Sequence, residues 1–120
     1  MAPSAPASKG AALVGTRSIA GIGTVLANSK GLTLYQLTTD TATKTTCSGR
    51  CAQTWPPLLA TNGKPQSTPG TSGTFGTLQR PDGGMQMTFN GMPLYTYAGD
   101  SRPGQATGQG IGGVWFAVTP

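Results

Sequence analysis

Two carboxylates, Asp40 and Asp100, each stand five residues after a tyrosine, Tyr35 and Tyr95. A matched carboxylate pair is the equipment of general acid–base catalysis, as in glycosidases, where the separation of the two groups sets the stereochemistry. Cys47 and Cys51 offer a second chemistry. A Cys-x-x-x-Cys pair can be a small-loop disulfide, a redox-active dithiol or part of a soft-metal site. The third candidate is copper(I), because Met85 and Met87 share one strand face, Met92 follows closely, and thioethers with thiolates suit that ion. Tyr35, Tyr95, Tyr97, Trp55 and Trp115 complete the set as stacking or electron-transfer groups.

Each candidate has a plainer reading, and an internal echo decides between them. Gly31, Leu34, Tyr35, Asp40 and Trp55 recur sixty residues later as Gly91, Leu94, Tyr95, Asp100 and Trp115. A residue kept in both copies of one chain most simply does one structural job twice. The repeated Tyr, Asp and Trp are therefore expected to be scaffold. Each aspartate follows its strand, where a carboxylate can accept backbone N–H bonds of the next turn or a phenol O–H. Leu34-Tyr35 and Leu94-Tyr95 are strand neighbours whose side chains point to opposite faces. One member of each pair then faces the core, which leaves the tyrosine along the surface. Large aromatics at matching offsets read as packing.

The unrepeated residues mark where a special role would be easiest to place. For Cys47 and Cys51 the expectation is a disulfide, whose small ring contributes about 2 kcal/mol and implies an oxidising compartment. Dithiol chemistry of the thioredoxin type would want a helix N-terminus, and no helix is evident. Alternating methionines read as core filling.

Composition narrows the chemistry further. Of 120 residues only 9% are charged, the chain contains neither His nor Glu, and its acids are Asp40, Asp82 and Asp100. A Ser-His-Asp triad, a His-ligated zinc and a His-ligated haem are excluded. The net charge of +5 is spread along the sequence with no two basic residues adjacent, unlike the clustered, aromatic-interleaved pattern of nucleic-acid binders. Scattered cations could still converge in the fold and attract anionic wall polymers or lipid headgroups.

Stepping outward to the elements, residues 1–10 read as a disordered Pro/Ala/Ser spacer, and residues 11–120 as one all-β domain of two repeats, about 11–62 and 71–120. No stretch approaches the ~18 apolar residues of a membrane helix. Val25-Leu26-Ala27 and Leu32-Thr33-Leu34-Tyr35 flank a turn that Gly31 closes with positive φ. Phe75–Gln79, Met85–Phe89 and Met92–Tyr97 form a meander whose second turn, Asn90-Gly91, suits type I′. Pro93 belongs at an edge or a strand start. Trp115–Val118 reads as a closing strand, whereas Trp55-Pro56-Pro57-Leu58 reads as an extended edge segment because its prolines cannot donate. Residues 63–74 read as the linker. The expected architecture is two similar β-meanders related by a pseudo-twofold, forming one small sandwich or barrel.

The ordered set Leu34-Tyr35 to Asp40, Cys47-Ser48-Gly49-Arg50-Cys51-Ala52, Trp55-Pro56-Pro57-Leu58, Pro93 to Asp100, Pro103-Gly104, Gly108-Gln109-Gly110 and Trp115 resembles the secreted-repeat lipoproteins of bacteria, with their Tyr-x-(Phe/Trp/Tyr)-x-x-Asp motif. Tyr95 to Asp100 fits that motif fully, and in the first copy Leu37 replaces the aromatic. The resemblance implies export, often a lipid anchor, and no assigned biochemical function. Cys47 and Cys51 lie too far inside to carry an anchor, which would then lie outside this chain. The expectation is an exported cell-envelope or extracellular monomer that is not an enzyme, binds no nucleic acid and needs no cofactor. It would act as a binding or interaction module toward an envelope component. The alternative is a redox or copper(I)-handling accessory protein using the cysteines and methionines.

Overall fold

Asn90 and Gly91 hold positive φ, 49° and 85°, the backbone that a two-residue type I′ turn requires. They join β6 (Met85–Phe89) to β7 (Met92–Pro93), and β6 also pairs antiparallel with β5 (Phe75–Gln79). The expected meander is present. A computed structural model of the chain describes residues 13–28, 30–41, 44–60, 66–67, 73–81 and 83–120. The expected N-terminal spacer lies outside these residues, as do Asp82 and most of the expected linker. Within that linker Gln66–Ser67 forms a short strand, β4, parallel to β1 (Leu13–Ile19).

The first copy opens on β1 (Leu13–Ile19), hairpinned to β2 (Gly23–Asn28) with Thr16 opposite Leu26. A bridge from Ala27 to Thr33 continues the chain into β3 (Tyr35–Leu37). Gly31 has φ 82° as expected, and Asn28 Oδ1 accepts the N–H groups of Lys30 and Leu32, both at 3.0 Å. The remaining elements are a five-residue helix, α1 (Arg50–Thr54), a 3₁₀ turn at Ile111–Gly113 and the closing strand β8 (Trp115–Ala117), paired with β3. The architecture is all-β in two repeats, built from small sheets without a closed barrel among the described residues.

The two copies are crossed. Leu26 N–H donates to Val118 O, Val118 N–H to Leu34 O, and Leu34 N–H to Leu26 O, at 2.8, 3.0 and 2.9 Å. In the other half Met87 donates to Leu58, Leu58 to Leu94, and Leu94 to Met87, at 2.8, 3.0 and 2.9 Å. Each three-bond ring takes two members from one copy and its third from the opposite copy. The segment after each tryptophan is thus donated across the molecule.

This crossing corrects the reading of Trp55-Pro56-Pro57-Leu58 as an edge. Leu58 is bonded on both sides, and Pro56 and Pro57 enter the ladder without their nitrogens: Pro56 O accepts from Thr96 N at 2.8 Å, and Pro57 bridges to Tyr95. Proline is tolerated in an inner position when the ladder asks only for its carbonyl.

Two buried clusters flank the crossing. One holds Val14, Leu26, Leu34, Leu58, Met87, Phe89, Leu94 and Val118. The other holds Ile19, Val25, Tyr35, Leu37, Cys47, Trp55, Tyr95, Trp115 and Ala117. Leu34 and Tyr35 do point to opposite faces, as alternation demands, but both faces are covered. Tyr35 and Tyr95 are fully buried, contrary to the surface position expected for them.

Candidate functional site

Tyr35 and Tyr95 are each other's backbone partners: Tyr35 N–H donates to Tyr95 O at 2.7 Å, and Tyr95 N–H donates to Tyr35 O at 2.9 Å. This reciprocal pair sits at the crossing, so each phenol reaches into the other copy. Tyr35 Oη donates to Asp100 Oδ2 at 2.6 Å, and Tyr95 Oη donates to Asp40 Oδ2. The second oxygen of each aspartate holds its own loop. Asp40 Oδ1 accepts from Thr46 N and Thr46 Oγ1, both at 2.7 Å. Asp100 Oδ1 accepts from Thr107 N at 2.8 Å and Thr107 Oγ1 at 2.5 Å. Both carboxylates are buried, at 4% and 1% exposure. They are therefore bonded to tyrosines of opposite copies, and their oxygens are engaged in holding loops.

Burial pushes both phenol pKa values well above the usual tyrosine value, and the hydrogen bond each makes to a carboxylate adds to the rise. Three opposing effects are smaller: Gly108 N–H donates to Tyr35 Oη at 3.1 Å, Thr45 Oγ1 shares a hydrogen bond with Tyr95 Oη, and Gln86 also bonds Tyr95. The phenols are fixed as neutral donors, since ionising one would place a second negative charge beside a buried carboxylate.

Between the two phenols lies an aromatic stack. The Trp55 and Trp115 rings are parallel to within 1° with centroids 3.8 Å apart, and Tyr97 stacks on Trp55 at 4.2 Å. Tyr35 meets Trp55 edge-on at 5.3 Å, as Tyr95 meets Trp115 at 5.0 Å. Tyr97 has Leu37 as its counterpart, so the stack extends on one side only. The loop carrying Thr107 closes over it at Gly108, where a Cβ would come within 2.6 Å of Trp55 Cη2.

The surroundings of the two phenols differ. Matching the rings makes Leu26 the counterpart of Met87, and the strand registers then make Ile19 and Val25 the counterparts of Arg80 and Gln86. The first pair is apolar and buried. In the second, Arg80 Nη1 donates to Gln86 Oε1 and Arg80 Nη2 to Cys47 O, both at 2.9 Å, and Gln86 Nε2 donates to Leu94 O at 2.7 Å. Arg80 is only 2% exposed.

Cys47 and Cys51 are bonded to each other, with 2.06 Å between the sulfurs. Contrary to expectation a helix is present, since α1 begins at Arg50 and includes Cys51, although it is one turn long. Met87 fills the core position of Leu26 and is fully buried, whereas Met85 at the start of β6 and Met92 in β7 are half-buried. No group of three or more Cys or Asp side chains placed to hold a metal occurs among the described residues.

The structure therefore gathers Tyr35, Asp40, Trp55, Tyr95, Tyr97, Asp100 and Trp115 into one buried cluster. Gly108, one of the motif residues, closes over it, and Thr45, Thr46, Arg80, Gln86 and Thr107, which also bond to or beside it, escaped sequence reasoning. The available signal was the copy-to-copy contrast: Arg80 and Gln86 stand where the first repeat is apolar.

No helix among the described residues is long and apolar enough to cross a membrane. No curated protein and no solved structure matches the chain. A family described as a secreted repeat of unknown function does match, twice, at residues 17–59 and 76–119. These two segments contain the crossed Tyr-Asp pairs and both tryptophans, and the chain belongs to this family of secreted repeats.

Proposed function

We propose that this chain is a non-enzymatic binding or interaction module of the bacterial cell envelope, exported and held there by a lipid anchor or a partner. The observation that carries this reading is the internal use of the repeated tyrosine hydroxyls and aspartate carboxylates. The phenols of Tyr35 and Tyr95 and the carboxylates of Asp40 and Asp100 bond one another and their own loops. They shape a scaffold whose loops meet the partner.

The test is co-sedimentation with isolated envelope fragments at physiological ionic strength. Saturable binding that persists in folded Asp40→Asn and Asp100→Asn proteins is expected. Failure of the wild-type protein to sediment overturns the reading. So does a turnover that either substitution abolishes without unfolding the protein. Copper(I) titration of oxidised and reduced protein tests the redox and copper alternative, which would have to recruit Met87 from the core and cysteines from their disulfide.

A further inference from the structure

Among the described residues the buried charges are Asp40, Asp100 and Arg80, the last tied to Gln86 and Cys47. Arg17, Lys30, Lys44, Arg50 and Arg102 are exposed. Every exposed ionisable side chain among the described residues is thus a cation.

The segments that carry three of these cations meet. A Cβ on Gly31 would lie 3.5 Å from Arg17 Nη1 and 2.8 Å from Pro103 Cβ, and a Cβ on Gly104 would lie 3.8 Å from Arg17 Nε and 3.9 Å from Nη2. The Arg17 guanidinium therefore lies beside two glycine backbones. Lys30 directly precedes the first, and Arg102 stands two residues before the second. Both loops are tied down. Gln105 Oε1 accepts from Ser101 N at 2.6 Å and Arg102 N at 3.2 Å, and Thr33 Oγ1 donates to Gln105 O at 2.7 Å, joining the Arg102 loop to the Lys30 hairpin. Three exposed cations distant in sequence thus stand on adjoining segments, which are tied down and need little further ordering.

We propose that the Arg17-Lys30-Arg102 surface binds a phosphate-bearing polymer of the envelope. Arginine's planar fork matches phosphate oxygens, and three cations around one loop junction suit a chain of closely spaced charges. A bilayer is a poorer fit, because the large apolar side chain exposed among the described residues is Ile111 alone, and three basic residues on a lipid surface give only weak attachment. Single-stranded nucleic acid is also poorer, because no aromatic side chain among the described residues is exposed to stack on bases. This inference rests on the binding-module reading and names its partner.

The test titrates long-chain inorganic polyphosphate against the wild-type protein, Arg17→Gln/Lys30→Gln/Arg102→Gln, and Lys44→Gln/Arg50→Gln at several salt concentrations. The triple variant should lose about tenfold or more in affinity, and its slope of log K against log salt should flatten by about 2. The double variant should change by less than about threefold, and both should keep the wild-type denaturation midpoint. Equal loss in both variants overturns the proposal, as does tighter wild-type binding to anionic vesicles, to a polycarboxylate or to single-stranded DNA. No polyphosphate binding at low salt also overturns it. In the envelope assay, unchanged sedimentation of the triple variant refutes the surface alone, whereas a wild-type protein that never sediments refutes the module.

Discussion

Tyr35 and Tyr95 perform the same act in opposite directions, each donating to the other copy's aspartate, yet their surroundings have diverged. Ile19 and Val25 belong to the apolar cluster that includes Tyr35. Their counterparts in the second copy are Arg80 and Gln86, which link β5 and β6 to the backbone of Cys47 and of Leu94. The disulfide loop is also peculiar to one copy, and Arg80 donates to it. The divergence is therefore concentrated: the loop special to the first repeat and the polar pair special to the second meet at one place. Duplicated positions carry the crossing, and the unduplicated ones stiffen one side of it.

The largest effect that would break this comparison lies in the stack. Trp55→Ala and Trp115→Ala should each cost about 3–5 kcal/mol in chemical denaturation. Trp55→Ala should cost more, because Trp55 also stacks on Tyr97 while Leu37 stands on the other side. Equal costs would mean that Tyr97 contributes only area.

Arg80→Ile should cost about 3 kcal/mol, because it strips the buried acceptors Gln86 Oε1 and Cys47 O of a charged donor. Arg80→Ile/Gln86→Val, which copies the first repeat's pair onto the second, should cost clearly less than the sum of its single substitutions. Strict additivity would show that the two residues act independently.

Tyr35→Phe and Tyr95→Phe should each cost about 2 kcal/mol, since each leaves a buried carboxylate oxygen without its phenol. Their raised pKa values also set an alkaline limit. Below pH ~10 the phenols are protonated in folded and unfolded chains alike, and stability is independent of them. Above it the unfolded chain loses these protons first, binds fewer than the folded chain, and stability falls as pH rises. The fall should shrink in either Phe variant and shrink further in the double variant. A double variant with the wild-type alkaline slope would assign it elsewhere. Smallest is the disulfide: reduction should cost no more than about 2 kcal/mol by loop entropy, leaving the crossed pairs folded by near-ultraviolet dichroism.

Much of this was legible in the residues. Asn90-Gly91 specified its turn, the four-residue spacing of Cys47 to Cys51 suited a bond, and the echo marked every member of the crossed pairs. What stayed hidden depended on contacts between copies. Alternation assigns Leu34 and Tyr35 to opposite faces but cannot reveal that both faces are covered, so the tyrosine was placed outside. The prolines after Trp55 argued for an edge because local rules count missing donors, whereas the crossing needs only their carbonyls. Strand β1, Leu-Val-Gly-Thr-Arg-Ser-Ile, buries Val14 and Ile19 but exposes Thr16, Arg17 and Ser18, so it lacks the period-two signature of a strand. Arg80 beside a turn reads as solvated until its counterpart, Ile19, is set against it.

The two three-bond rings do not become available at the same moment of synthesis. Leu58, Met87 and Leu94 are all in hand once the ribosome has passed the second hairpin, but the ring of Leu26 and Leu34 waits for Val118. The half made first is therefore the half completed last, and until Val118 emerges it lacks the strand that closes it.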